Sequence, residues 1–311
     1  MNQATQASHA TQVSVEAPGL AAASKLQRSR LSDLAMLTKP RLSALVLLTA
    51  LMGFFFGARE HIDPVLLLDS VLGIALVAAG ASALNQFLER DSDKLMRRTQ
   101  DRPLPAGRMS PGAVLYFGVC ASMLGMSYLL VRVNAEAALW SAITLGLYVF
   151  VYTPLKRRTT LNTLVGAVPG AIPPLIGYAA ARGELAPQAW ALFAILFLWQ
   201  LPHFLAIAWM HRDDYRRAGL MMLPQVDAEG ASTGRQIVVH SLTLIPVTLA
   251  PFVLHMSGPV YALGAVVMGL AFLVFGIKFA LRRTDAAARR LFVASVIYLP
   301  LLLALMMVDG Q

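Results

Sequence analysis

Long apolar stretches separated by short basic ones dominate the chain. Runs of mostly apolar residues recur near 42–58, 65–88, 112–131, 136–155, 161–181, 187–210, 237–256, 259–281 and 290–308. A helix rises about 1.5 Å per residue, so roughly 20 apolar residues cross a hydrocarbon layer about 30 Å thick. The pattern predicts nine transmembrane helices in an all-α integral membrane protein. The fifth run carries Pro169, Pro173 and Pro174 among Gly166, Gly170 and Gly177. That run predicts a kinked helix, tolerable where the freed backbone is buried in protein. No unit of 20–50 residues repeats clearly. Polar clusters nevertheless follow the second and sixth runs, four helices apart, which suggests two related halves.

Composition supports a lipid-facing surface. The 311 residues are 57% hydrophobic and 14% charged, with a mean hydropathy of +0.61. Soluble domains carry about 25% charge. The net charge is +9 and the sequence pI about 10.0. The basic residues lie between apolar runs and form no separate polar domain, so the expected partner is the lipid bilayer and no nucleic acid. Cys120, the single cysteine, rules out an internal disulfide and a cysteine-rich metal centre. The first 30 residues are rich in Ala, Ser, Gln and Thr and lack the apolar core of a secretory signal. Residues 1–32 read as a disordered cytoplasmic tail and 33–311 as one transmembrane domain.

Charge placement orients the chain. All but Arg59, Arg132 and Arg182 of the 26 Lys and Arg residues fall before the first span, after the second, fourth or sixth, or around the junction of the eighth and ninth. Basic residues accumulate on the cytoplasmic side. The N-terminus is therefore expected in the cytoplasm and the C-terminus outside it.

The second span ends in a polar stripe. Asn85, Glu89 and Asp93 are spaced i, i+4, i+8 and project from one helix face. Two acids and an amide aligned at a membrane boundary are costly without compensation. A hard divalent cation with oxygen ligands supplies it, and magnesium uses one or two carboxylates plus phosphate oxygens and water. Lys94, Arg98 and Arg102 come after it, with Pro103 and Pro105 stiffening the loop. Acids followed by arginines suit a metal-bound diphosphate. A solvated topogenic loop would account for the arginines but not for the stripe.

A second cluster lies at the end of the sixth span. Gln200 and His203 flank Pro202 within an apolar run, and an intramembrane histidine is a functional candidate. Asp213 and Asp214 could ligate a second cation, Asp214 being the stronger choice. Pairing with Arg216 and Arg217 at a helix end is the structural alternative. Lys156 and Arg157, after the fourth span, suit a diphosphate as well as they suit topology. His240 and His255 have no polar companions in sequence.

Taken together, these motifs resemble the membrane-embedded aromatic prenyltransferases, the UbiA superfamily, over roughly residues 33–308. Asn85, Glu89 and Asp93 match its first acidic motif, with Glu89 where Asp is more usual, and Arg98-Thr99 with Arg102-Pro103 match its basic loop. The second acidic motif is not intact: its positions fall near His211 and Tyr215. Tyr152-Thr153, Leu155-Lys156-Arg157, Asn162, Pro173-Pro174, Trp199-Gln200, Pro202-His203-Phe204 and Met222-Leu223-Pro224 are similar to the haem-modifying branch. The resemblance implies a UbiA-type bundle with a central cavity opening toward the cytoplasm, in a bacterial inner membrane. It implies farnesyl transfer from farnesyl diphosphate to the 2-vinyl group of haem B, with water completing the haem O side chain and Mg2+ as cofactor. His203 is then a haem candidate, and Lys156 and Arg157 hold diphosphate or propionates. Haem A synthase and terminal oxidase assembly factors are the protein partners it implies. A secondary transporter and a haem-binding chaperone are the rival classes; neither needs metal-dependent turnover.

Overall fold

Two of the long helices begin on a capping side chain followed by proline, which lacks the amide hydrogen that a first turn leaves unpaired. Asp63 accepts from the amides of Val65 and Leu66 ahead of Pro64, and Ser110 accepts from Ala113 ahead of Pro111. In this computed structural model, which describes residues 30–58 and 61–310 except the Arg41 side chain, every named element is a helix. Residues 1–29 of the expected tail, and Arg59, lie outside the described residues.

In chain order the helices are α1 (Arg30–Thr38), α2 (Pro40–Ala58), α3 (Pro64–Asp93), α4 (Pro111–Arg132), α5 (Ala135–Leu155) and α6 (Asn162–Arg182). Then come α7 (Pro187–Met210), α8 (Arg212–Arg217), α9 (Leu223–Val226), α10 (Ala231–Val253), α11 (Pro259–Arg282) and α12 (Asp285–Val308). Among the described residues, eight are long and apolar enough to cross a membrane: α3 to α7 and α10 to α12. A ninth arises if α1 and Leu42–Ala58, which meet at 47°, count as one bent span. The protein is a multi-pass, all-α membrane bundle.

Three helices exceed the apolar runs that announce them. α3 continues to Asp93 rather than stopping near 88, α10 starts at Ala231 rather than 237, and α12 starts at Asp285 rather than 290. Each extension carries polar residues, so hydropathy marks the apolar part of the helix and misses the turns beyond it. Thr284, for example, caps α12 by accepting from Ala287. The expected kink in the fifth span is present: α6 breaks at Ile172, ahead of Pro173 and Pro174. Next to the break, Gln200 of α7 donates to the Ala167 carbonyl at 2.7 Å.

Small residues draw the helices together. Lipid gives apolar side chains no reason to leave it, so membrane helices associate where backbones approach closely. α2 and α6 meet at Gly53, Gly57 and Gly177, where an added Cβ would collide with the carbonyls of Pro174, Tyr178 and Ala50 respectively. α3 and α4 meet at Gly73, Gly80, Gly118 and Gly125. α6 and α7 are the most enclosed spans, while α4, α5, α10 and α11 turn much of their surface outward. Phe150 at 73% exposed and Val131 at 79% are at home against acyl chains.

The bundle has two distinct ends. At one, Arg132 and Tyr128 hold Asp69 at 3.1 and 2.6 Å, and Asn134 donates to the Ala179 carbonyl at 2.8 Å. At the other, the end of α3, the start of α4 and the loops after α5 and α7 gather the basic residues and the polar stripe.

Candidate active site

The last two turns of α3 place Asn85, Glu89 and Asp93 inside the bundle, 1%, 8% and 0% exposed. Charge buried this far needs a partner, because desolvation of a lone carboxylate costs several kcal/mol. Each of the three meets a cation from a different segment. Lys156 Nζ lies 2.6 Å from Glu89 Oε1, Arg102 donates to Asp93 Oδ2 at 2.6 Å, and Lys39 Nζ donates to Asn85 Oδ1 at 3.0 Å. Lys39 adopts a left-handed backbone, φ +48°, between α1 and α2. Asp93 Oδ1 is buried with no hydrogen-bond partner among the described residues.

α5 contributes through an irregular turn. Residues Leu147–Tyr152 form a π-helical turn, which widens the helix and changes the direction in which the next residues face. Thr153 comes next: its hydroxyl donates to the Tyr148 carbonyl at 2.8 Å and accepts from Asn85 Nδ2 at 3.1 Å. Lys156 sits 4.4 Å from the centre of the Tyr152 ring. That ring lies so close to α6 that any Cβ at Gly166 would strike it. Burial works against the Lys156 charge, but Glu89, then Tyr152 and Tyr148, outweigh it and raise the pKa well above the ordinary lysine range.

Three loops lock together around the stripe. Arg98, after α3, donates to the Tyr215 hydroxyl of α8 at 2.9 Å and lies over its ring. Met221 N donates to the Lys156 carbonyl at 2.6 Å, and Asn162 donates to the Met221 carbonyl at 2.7 Å. Met96, Ala208, Tyr215, Ala218, Leu220 and Met222 form a small apolar cluster beneath. The segments after the second and sixth runs therefore meet in space. Where the second acidic motif of the resemblance would sit, Tyr215 engages Arg98. His211 loses basicity through burial and the nearby Arg98, against the pull of Asp214.

The remaining sequence candidates are dispersed. Lys94 is exposed, 3.7 Å from Asp91, and Arg157 is exposed as well. Asp214 pairs with Arg217 on its own short helix. His203 lies between α7 and α12, its Nδ1 2.7 Å from Ser295 Oγ and its ring stacked against Trp199 and Phe292. Among the described residues no three Asp, Glu, His or Cys side chains converge as a metal cage. The donor set on α3 is two carboxylates and one amide, which is what magnesium takes when phosphate and water complete its shell. The orphaned Asp93 oxygen fits that role, since a buried acceptor without a donor is costly. Thr153, marked in sequence only as part of a family motif, joins the site, as does Lys39.

The fold is that of the membrane-bound prenyltransferases. Residues 46–302 match the UbiA prenyltransferase family, and the chain belongs to that family. Its relatives include the protoheme IX farnesyltransferase of Solibacter usitatus, 49% identical over 286 residues, covering 89% of this chain and 98% of that one. The protoheme IX farnesyltransferase of Koribacter versatilis is 43% identical over 307 residues, covering 96% and 97%. Among solved structures, a UbiA homolog from Archaeoglobus fulgidus bound to GPP and Mg2+ superposes with a TM-score of 0.64 at 15% identity, over 88% of this chain and 99% of that one. A digeranylgeranylglyceryl phosphate synthase superposes at 0.76, also at 15% identity, over 90% and 98%.

Proposed function

We propose that this chain transfers a farnesyl group from farnesyl diphosphate to the 2-vinyl group of haem B, and that water then yields the hydroxyethylfarnesyl group of haem O. One observation carries the reading. A buried amide–acid stripe, ringed by Lys39, Lys156 and Arg102, sits in a chain that matches protoheme IX farnesyltransferases along nearly their whole length.

Asn85, Glu89 and Asp93 would hold Mg2+, which when bound offsets the charge that builds on departing diphosphate. Lys39, Lys156 and Arg102, each beside one residue of the stripe, favour that anion electrostatically. In the reaction the allylic C–O bond breaks and diphosphate leaves with its electron pair. The vinyl π electrons form the new C–C bond, water adds to the resulting cation, and a proton is released. Apolar helices around the isoprenoid keep water from the allylic cation until the acceptor has reacted. Asp214, engaged by Arg217, is not needed for this scheme. His203 remains the haem candidate, its ring fixed by Ser295. The site end faces the cytoplasm and the C-terminus the periplasm of a bacterial inner membrane, as the basic residues direct.

The test is purified protein with farnesyl diphosphate, haem B and Mg2+, the pigments being read by mass spectrometry. A haem that gains farnesyl plus water, and gains nothing when a chelator is present, is the expected result. No farnesylated haem, with turnover on a quinone precursor instead, would assign the chain to another acceptor.

A further inference from the structure

A groove of about 630 Å3 runs down the outside of the bundle between α11 and α12, away from the stripe. From α12 it takes Ala286, Arg289, Arg290, Val293, Ala294, Ile297, Tyr298 and Leu301, the i, i+3, i+4, i+7 sequence of one helix face. Phe272 of α11 and Tyr298, 2% and 4% exposed, form its floor. Val293 and Ile297, 48% and 54% exposed, form an open wall. Every lining residue except the two arginines and the Tyr298 hydroxyl is apolar.

The charged end distinguishes this groove from an ordinary crease between helices. Arg289 and Arg290 are exposed, and neither has an ion-pair or hydrogen-bond partner among the described residues. Asp285, one turn earlier, is already held by Arg212. From Arg289 to Leu301 the helix rises about 18 Å, close to the depth of one leaflet, about 15 Å. Ser295 and Phe292, which face His203, lie on another side of α12, so the groove is not part of the haem candidate's surroundings.

We infer that the groove binds an anionic glycerophospholipid of the surrounding leaflet, its acyl chain over Phe272 and Tyr298 and its phosphate between Arg289 and Arg290. The chemistry is that of an anion held by two guanidinium groups above an apolar slot. Basic pockets between membrane helices recognise lipid headgroups in this way. The inference is independent of the acceptor proposed for the reaction.

The test is native mass spectrometry of the full chain released from detergent, titrated with dioleoylphosphatidylglycerol or dioleoylphosphatidylcholine. Retention of the anionic lipid is expected to exceed that of the zwitterionic one by about tenfold. Arg289→Gln with Arg290→Gln should bring the two within about twofold, whereas Arg289→Lys with Arg290→Lys keeps the preference. Ala271→Phe, on the exposed rim, should reduce retention of both lipids by filling the slot without touching a charge. Equal retention of the two lipids by the unaltered chain overturns the inference. So does a Gln pair, with unchanged helicity and elution, that still prefers the anionic lipid. Stoichiometric displacement of the lipid by farnesyl diphosphate or haem B would also overturn it, by giving the groove to a substrate.

Discussion

Asp93 carries the sharpest consequence of the stripe. It is fully buried, with one oxygen on Arg102 and the other unpartnered among the described residues. Asp93→Asn keeps the shape and removes the charge. Turnover per folded molecule is expected to fall at least about a hundredfold, and the melting temperature in detergent to drop because Arg102 loses its carboxylate partner. Normal rates would remove Asp93 from the chemistry. The Glu89–Lys156 pair makes a different point. Lys156→Met strands a buried carboxylate and should cost about 3–5 kcal/mol. Adding Glu89→Gln should recover much of that stability in thermal melts but none of the activity. A double variant as unstable as Lys156→Met alone would show that the pair is not what holds α5 to α3. The stripe was legible because i, i+4, i+8 spacing needs nothing beyond a helix. Lys39 was not, because a lysine ahead of a membrane helix reads as a topology signal. In the fold it sits at a left-handed turn and its ammonium reaches Asn85.

At the scale of elements, glycine spacing decides which helices pair. Gly177 faces the Ala50 carbonyl with no room for a side chain. Gly177→Leu should destabilise the bundle by about 1–3 kcal/mol or more, read as a lower melting temperature and earlier aggregation in detergent. An unchanged melt would mean that α2 and α6 pack through other contacts. The kink of α6 could be read from its prolines. The π-helical turn of α5 could not, since Leu-Tyr-Val-Phe-Val-Tyr is compatible with an ordinary helix and the widened turn depends on what packs against it. Helix ends were misjudged wherever turns with polar residues extend past the apolar run, as at the starts of α10 and α12.

For the whole molecule, alternation of basic loops predicts which end faces which compartment. Single cysteines placed at Arg158 and Glu184, in a Cys120→Ser background, should label from opposite sides of sealed inverted and right-side-out vesicles. Labelling of both from one side would reverse the span count between them. The bundle architecture was readable from hydropathy, and the prenyltransferase family from several short motifs in the right order. The meeting of Arg98 with Tyr215 depends on helices far apart in sequence lying side by side, which no local pattern encodes.

That separation also sets a schedule for biogenesis. Arg102 comes nine positions after Asp93, but Lys156 comes 67 after Glu89. At roughly 5–20 residues per second, the ribosome needs several seconds to deliver the lysine after the glutamate has emerged. During that interval α3 has good reason to keep its final turns in the headgroup layer. It would sink to full depth only when α5 arrives, so the nascent chain completes its buried polar stripe late, after most of its early helices are already in lipid.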